Sequence, residues 1–259
     1  MTSQEIFVQE RKSINETLGS DPKARELTQN WMNFAQANKY SYQFDWLGRP
    51  IIQYPQDIVA MQELIWNIKP DLIIETGIAH GGSLILSASM LAMLDMCEAI
   101  EQKSSFNPSH SKRKVLGIDI DIRSHNRAAI EAHPMSSRIQ MLEASSIAEE
   151  TIHSVKKIAA QYKTVLVFLD SNHTYQHVLA ELNAYAPLTT VGSYCVVFDT
   201  VVEDMPEGLF HDRPWGPGDN PKTAVWEYLK THSDFEIDKN IHTKILITVA
   251  PDGFLKRTK

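Results

Sequence analysis

A mostly parallel α/β sheet is the fold class this chain predicts, and two observations predict it. From Asp57 onward, short apolar runs alternate with stretches of helical periodicity. The chain's 259 residues, 43% of them hydrophobic, also suit one large domain with a sizeable core. Strand–helix–strand repeats of this kind force parallel pairing with right-handed crossovers.

The elements follow in order. Residues 1–55 read as a helical N-terminal arm, with helical composition over Glu5 to Leu18 and Ala24 to Ala37. The arm ends in an aromatic, turn-rich stretch holding Tyr40, Tyr42, Phe44, Trp46 and Tyr54. These rings are expected to serve core packing first and ligand contact second. Residues 56–259 read as the sheet domain. Its predicted strands are DLIIE (71–75), VLGID (115–119), RIQML (138–142), VLVFLD (165–170) and SYCVVFD (193–199). FEID (235–238) and KILITVA (244–250) are expected to close the chain as a hairpin-like pair. Helices are predicted over 58–68, 83–96, 124–132, 147–160, 175–185 and 222–230, the last after Pro221. The polar tract Ser104 to Lys114 reads as a surface loop.

Composition excludes several classes. Twenty-five basic and 32 acidic residues give a net charge of −7, so no nucleic-acid partner is expected. Two cysteines, Cys97 and Cys195, cannot build a disulfide framework or a Cys-rich zinc site. The opening MTSQEIFVQERK lacks an apolar signal region, and no apolar run is read as approaching the ~18 residues of a membrane span. The expectation is a cytoplasmic protein with no membrane partner. The apolar arm suggests a homo-oligomer.

In an open α/β sheet, ligands bind at the carboxyl ends of strands, near the point where strand order reverses. Chemistry is therefore sought just after Ile74, Ile118, Leu142, Leu169 and Phe198. The first turn, E-T-G-I-A-H-G-G-S (Glu75 to Ser83), is glycine-rich but is neither a dinucleotide fingerprint, because Ala79 stands where a glycine is needed, nor a triphosphate cradle. Glu75 is a poor neighbour for pyrophosphate and a better one for a cation. Asp119 ends the second strand and can take both hydroxyls of a ribose. Ser145 and Ser146 follow the third strand; Ser146 also reads as a helix cap with Glu149 three residues on. Asp170 and Asp199 end adjacent strands, and two carboxylates brought together call for a shared proton or a divalent cation such as Mg²⁺. His173, three residues after Asp170, is a candidate base, whereas His177 reads as a packing residue. His211, Arg213 and Trp215 lie in a Pro/Gly-rich segment after Asp199 that is long enough to act as a lid.

These motifs, with L-D-S-N-H-T-Y-Q-H-V-L-A-E-L and V-V-F-D-T to P-W-G-P-G-D-N-P-K-T-A-V, resemble the class I S-adenosylmethionine-dependent methyltransferases. They are most similar to the family called cephalosporin hydroxylase, named for a cephamycin-biosynthesis protein with a methyltransferase fold. The resemblance covers roughly Gln53 to Pro251. It implies a Rossmann-like fold with a mostly parallel seven-stranded sheet and helices on both faces. It implies S-adenosyl-L-methionine as donor, Mg²⁺ or another divalent cation, and O-methylation of a small hydroxylated acceptor, a saccharide or secondary metabolite. Glu75, Thr76, Gly77, Gly81 and Ser83 are then expected around the donor's methionine part, Asp119 at its ribose, Ser145 at its adenine, and Asp170 beside it. Asp170, Asp199 and Thr200 are the expected metal ligands, and His173 with Asp170 the catalytic pair. In cation-dependent catechol-type enzymes a lysine holds the spacing that His173 has here. Relatives often carry Glu-Asp-Thr after the fifth strand; here it is Phe198-Asp199-Thr200, and Glu203 and Asp204 read first as a charged loop rim and second as substitute ligands. Two alternatives stand beside this reading. One is a non-catalytic methyltransferase-like binding or scaffold protein. The other is an Fe(II)-dependent hydroxylase built on His232, Asp234 and His242.

Overall fold

The computed structural model describes residues 1–108 and 110–259; Ser109, within the polar tract, lies outside the described residues. The chain begins with helices α1 (Ser3–Ser20) and α2 (Pro22–Ala37), then an antiparallel hairpin of β1 (Phe44–Trp46) and β2 (Arg49–Ile51). It continues through α3 (Pro55–Ile68), β3 (Leu72–Thr76), α4 (Gly82–Glu101), β4 (Lys114–Asp119), α5 (Ser124–Glu131), β5 (Ile139–Glu143), α6 (Glu149–Ala159), β6 (Val165–Leu169) and α7 (Tyr175–Tyr185). The last elements are β7 (Tyr194–Val197), α8 (Pro221–Leu229), β8 (Phe235–Ile237), α9 (Lys239–Ile245) and β9 (Phe254–Arg257).

Seven strands form one sheet in the order β5-β4-β3-β6-β7-β9-β8, and only the pairings of β9 are antiparallel. The chain winds outward from β3 to β5, then returns to lay β6 on the other side of β3. That reversal opens a crevice at the carboxyl ends of β3 and β6. Strand alternation sends Ile73, Val115, Leu166 and Phe168 into one apolar cluster, shared with α3 and α4. It sends Leu72, Ile74, Leu116 and Val167 into a second cluster under α6, α7 and α8. Helices therefore cover both faces, which suits strands that are apolar throughout.

Two readings of the sequence need correction here. KILITVA is not a strand. Asp238 caps α9 by accepting from the Asn240 amide, and Lys239–Ile245 is helical. The residues after it are captured by Asp57, whose carboxylate accepts from the Thr248 hydroxyl and, at 3.0 Å, from the Val249 amide. The closing strand is β9, ten residues later than expected at its start. The second correction concerns α4, which is long and apolar enough to cross a bilayer by length and composition. Its core-facing side, including Leu84, Ile85, Ala88 and Leu91, is buried within the domain.

The N-terminal segment packs on the sheet domain through its aromatic residues. Trp31, Tyr40, Phe44 and Tyr54 form a chain of ring contacts with centroids 5.2 to 5.7 Å apart. The Trp46 indole donates to Ser89 Oγ at 3.0 Å. The hairpin lies directly over the first turn of α4: a Cβ on Gly82 would meet Pro50 O at 2.2 Å.

Candidate active site

Three turns meet at the crevice. The β3–α4 turn is set by Gly77, whose φ of +87° suits glycine and whose missing Cβ leaves room for Asp170 O, which a Cβ would approach to 2.0 Å. The Asp170 amide donates to Thr76 O at 3.0 Å, so the β3 and β6 ends are locked at one level. A small cleft beside them is lined by residues 50–53 of the hairpin strand and its exit, by Gly77, Ile78, Ala79, His80, Gly82 and Ser83, and by Asp170.

The acidic centre forms across β6 and β7. Ligand atoms of Asp170, His173 and Asp199 all lie within 4.8 Å of one another. His173 Nε2 is 3.2 Å from Asp199 Oδ2. Burial, then the charge of Asp199, push the Asp170 carboxyl well above the usual carboxylate range. Two carboxylates and an imidazole in this arrangement form an oxygen-rich, electronegative pocket that suits a divalent cation. The donor set fits Mg²⁺ with open positions left for water and acceptor oxygens.

The expected donor residues divide. Gly77, Ser83 and Asp170 line the cleft. Glu75 lies behind it, wholly buried, taking a hydrogen bond from the Ser87 hydroxyl; burial raises its carboxyl to about 7. Thr76 is buried too, its Oγ1 accepting from the Asp170 amide at 3.3 Å. Gly81 makes room for Ile130 rather than for the cleft. Asp119 holds the glycine turn itself: Oδ2 accepts from the Ile78 and Ala79 amides at 2.8 and 3.3 Å. A carboxylate has further lone pairs for a diol. Ser145 follows β5 in the next turn, half-buried.

Four further residues are committed elsewhere. Thr200 does not join the acidic centre, because its hydroxyl is buried and donates to Pro251 O at 2.6 Å. Glu203 closes the long loop instead of substituting for a ligand: its Oε2 accepts from the Gly218 amide at 2.7 Å and from the Asn220 side-chain amide. Asp204 is paired with Lys222 at 2.6 Å. Ser146 does not cap α6, whose cap is Ala148; its hydroxyl meets His177 Nε2 at 3.1 Å. The iron constellation does not form either. His232 stacks on Tyr228 with ring centroids 3.8 Å apart, and the sole metal-competent group among the described residues is the Asp170 centre.

The lid segment does reach the centre. Trp215 meets the His173 ring edge-on at 4.8 Å, and Arg213 lies over the indole at 5.4 Å. Asp219 accepts from the Tyr175 amide at 2.7 Å, which ties the lid to the start of α7. His211 is exposed and its ring nitrogen is 3.3 Å from Gly208 O.

Sequence reasoning missed Gln53. Its Nε2 donates to Asp170 Oδ2 at 3.1 Å, and its Oε1 is buried with no partner among the described residues. Tyr54 is wholly buried beside it, and its hydroxyl is likewise unpartnered; burial, then Asp57 and Asp199, push it up to about 12. The one signal for this pair was its place just before Pro55, where α3 begins. A cavity of about 470 Å³ lies elsewhere, at the amino ends of β6 and β7, and is lined by neither Asp170 nor Asp199.

The family model described as "Rhamnosyl O-methyltransferase/CmcI" matches residues 38–258. The chain belongs to this family. It is thereby an S-adenosylmethionine-dependent O-methyltransferase by descent and fold. The rhamnosyl O-methyltransferase of Mycobacterium leprae (strain TN) is 27% identical over 215 residues, 82% of each chain. That of Mycobacterium bovis (strain BCG / Pasteur 1173P2) is 28% identical over 204 residues, 78% of this chain and 73% of its own. A solved structure described as "cmcI-D160 Mg-SAM" shares the fold, with a TM-score of 0.50 and 17% identity over 84% of this chain and 78% of that one. The family's span takes in the aromatic segment, the hairpin and all seven sheet strands.

Proposed function

We propose that this protein transfers a methyl group to a hydroxyl of a sugar, on a saccharide or a glycosylated metabolite, with help from a divalent cation. The observation that carries the reading is the convergence of Asp170, His173 and Asp199 beside the glycine-turn cleft. The relatives' rhamnosyl activity supports a deoxysugar as acceptor.

The donor supplies an electrophilic methyl group on a sulfonium, and the cation lowers the pKa of a hydroxyl near it. The chain's own residues supply alignment, charge and a proton acceptor. Asp170 and Asp199 would hold the cation, with His173 as the third neighbour. The glycine turn and residues 50–53 would seat the methionine part against Asp170, while Asp119 and Ser145 face the nucleoside. His173 accepts the acceptor's proton at Nε2, the atom now 3.2 Å from Asp199. Trp215 packs against that imidazole from the lid side, shields it from water and offers an apolar surface to a sugar ring. Alignment of acceptor oxygen, methyl and sulfur then accounts for much of the rate.

A second reading of His173 is favoured by the 4.8 Å grouping: it is a metal ligand, and a water takes the proton. The two differ in a His173→Gln variant. A base lost from position 173 lowers turnover without changing cation affinity; a ligand lost there lowers both. Self-association through α1, where Ile6, Phe7, Val8 and Ile14 stand exposed, and a cytoplasmic location belong to the same proposal.

The test is transfer of labelled methyl from S-adenosylmethionine to aryl rhamnosides and rhamnosylated lipids, with Mg²⁺ and with EDTA. Methylated sugar formed only with the cation supports the reading. Donor binding with no transfer to any sugar, alongside transfer to catechols, overturns the acceptor class.

A further inference from the structure

Helix α7 carries three polar side chains at i, i+4 and i+8 on its buried side: His177, Glu181 and Tyr185. Such spacing puts them on one face. Glu181 is wholly buried, and a buried carboxylate is costly unless its lone pairs are used. Its Oε1 accepts from the Ser171 hydroxyl at 2.7 Å and lies 3.5 Å from His177 Nε2. A serine hydroxyl has one hydrogen, and Ser171 gives it to Glu181. At the 3.2 Å contact between Ser171 Oγ and His177 Nε2, the imidazole is therefore the donor. The same nitrogen is 3.1 Å from Ser146 Oγ. One turn further along, the Tyr185 hydroxyl donates to Ser146 O.

The stripe thus grips two turns at once. Ser171 adjoins Asp170 and lies two residues from His173. Ser146 adjoins Ser145, in the turn where the donor's adenine is expected. We propose that the His177–Glu181–Tyr185 stripe is a positioning device that holds the acid–base turn and the donor-side turn in one mutual geometry. His177, Glu181 and Tyr185 are positioning residues; none belongs to the Asp170, His173 and Asp199 group. The inference rests on the methyltransferase reading of the cleft, and it explains why a helix otherwise packed on apolar residues keeps a buried carboxylate beside a half-buried imidazole.

The test uses the full chain and two probes, S-adenosylhomocysteine and Mg²⁺ alone. Calorimetry gives the affinity of each for wild type, His177→Leu, His177→Gln and Ser146→Ala, with circular dichroism to confirm folding. Gln can place an N–H near the imidazole's and Leu cannot. His177→Leu is expected to weaken both probes roughly tenfold, the scale of one lost charge-assisted bond. His177→Gln should restore binding to within about threefold. Ser146→Ala should weaken the nucleoside alone, and should add little in combination with His177→Leu, because the two share one contact. If His177→Leu does not fold, Ser146→Ala and His177→Gln decide: unchanged nucleoside affinity in the first overturns the proposal. Leu and Gln variants that both bind like wild type, or effects of Ser146→Ala and His177→Leu that simply add, overturn it as well. A wild-type chain that fails to bind the nucleoside refutes the underlying reading instead.

Discussion

Asp57 offers a measurement of how far the fold holds a charge in check beneath the active site. Its side chain is wholly buried, and burial raises its carboxyl from 3.8 to about 7. The two hydrogen bonds from Thr248 and Val249 oppose the shift without cancelling it. For a raised acid, the folded state is at full advantage below the unfolded pKa, and loses it as pH climbs through the folded pKa. The window is therefore about pH 4 to 7, and a shift of about three units amounts to about 4 kcal/mol of lost stability across it. Asp57→Asn removes that slope. Asn keeps one acceptor for the Val249 amide, and the mismatch at Thr248 costs about 1 kcal/mol. The variant should be slightly less stable than wild type near pH 4 and more stable by about 3 kcal/mol near pH 8. Urea unfolding of both chains across that range, in EDTA, gives the difference. Parallel pH profiles for the two proteins would refute the argument, since they would mean that Asp57 titrates alike in folded and unfolded chains. The consequence for function is direct. Asp57's charge acts on both Asp170 and Tyr54, so a neutral Asp57 spares the acidic centre a third negative charge.

Other expectations follow from the same geometry. Asp199→Asn should abolish the rise in melting temperature that Mg²⁺ gives the wild type, because one of two carboxylates is gone; an equal rise in both proteins counts against the cation site. Gly77→Ala combines a left-handed φ with a Cβ driven into Asp170 O, and should cost at least ~2 kcal/mol and most donor affinity, read by denaturation and calorimetry. Glu203→Ala removes two hydrogen bonds that close the 205–219 loop, and chymotrypsin should then cut faster after Phe210, with global stability lower by no more than ~2 kcal/mol. Trp215→Ala should raise KM for a sugar acceptor by roughly fivefold, about 1 kcal/mol, and leave donor affinity alone; a changed donor affinity with unchanged KM would remove Trp215 from the acceptor side.

The sheet was legible because its strands are continuous apolar runs that end where chemistry is placed. Val165 to Leu169 and Leu72 to Thr76 are buried along their whole length, and no local signal competes with them. KILITVA misled for the opposite reason. Its β-branched content suggests a strand, yet its fate is decided by Asp57, 191 residues away from Thr248 in sequence. The acidic centre was legible because Asp170 and Asp199 end neighbouring strands. Gln53 and Glu181 were not, since neither carries a mark of function until the fold sets one against Asp170 and the other against Ser171 and His177.

The Phe198-Asp199-Thr200 triplet shows how a centre can form with one acid fewer. Phe198 is buried and packs on Phe168 with centroids 5.9 Å apart, so its position belongs to the core and offers nothing to a cation. Thr200 is committed to Pro251 O. Between them, Asp199 takes a left-handed φ of 55°, a conformation that aspartate accepts more readily than most residues at a cost of about 1 kcal/mol. That turn brings its carboxylate to His173 and Asp170 rather than along the strand. The imidazole thus stands where a further carboxylate would otherwise be wanted. A centre of two acids and one histidine carries one negative charge less than three acids would. It should hold a divalent cation more weakly and more reversibly than three acids would. Mg²⁺ titrations of wild type and His173→Ala decide this: the same affinity in both would place His173 outside the ligand set.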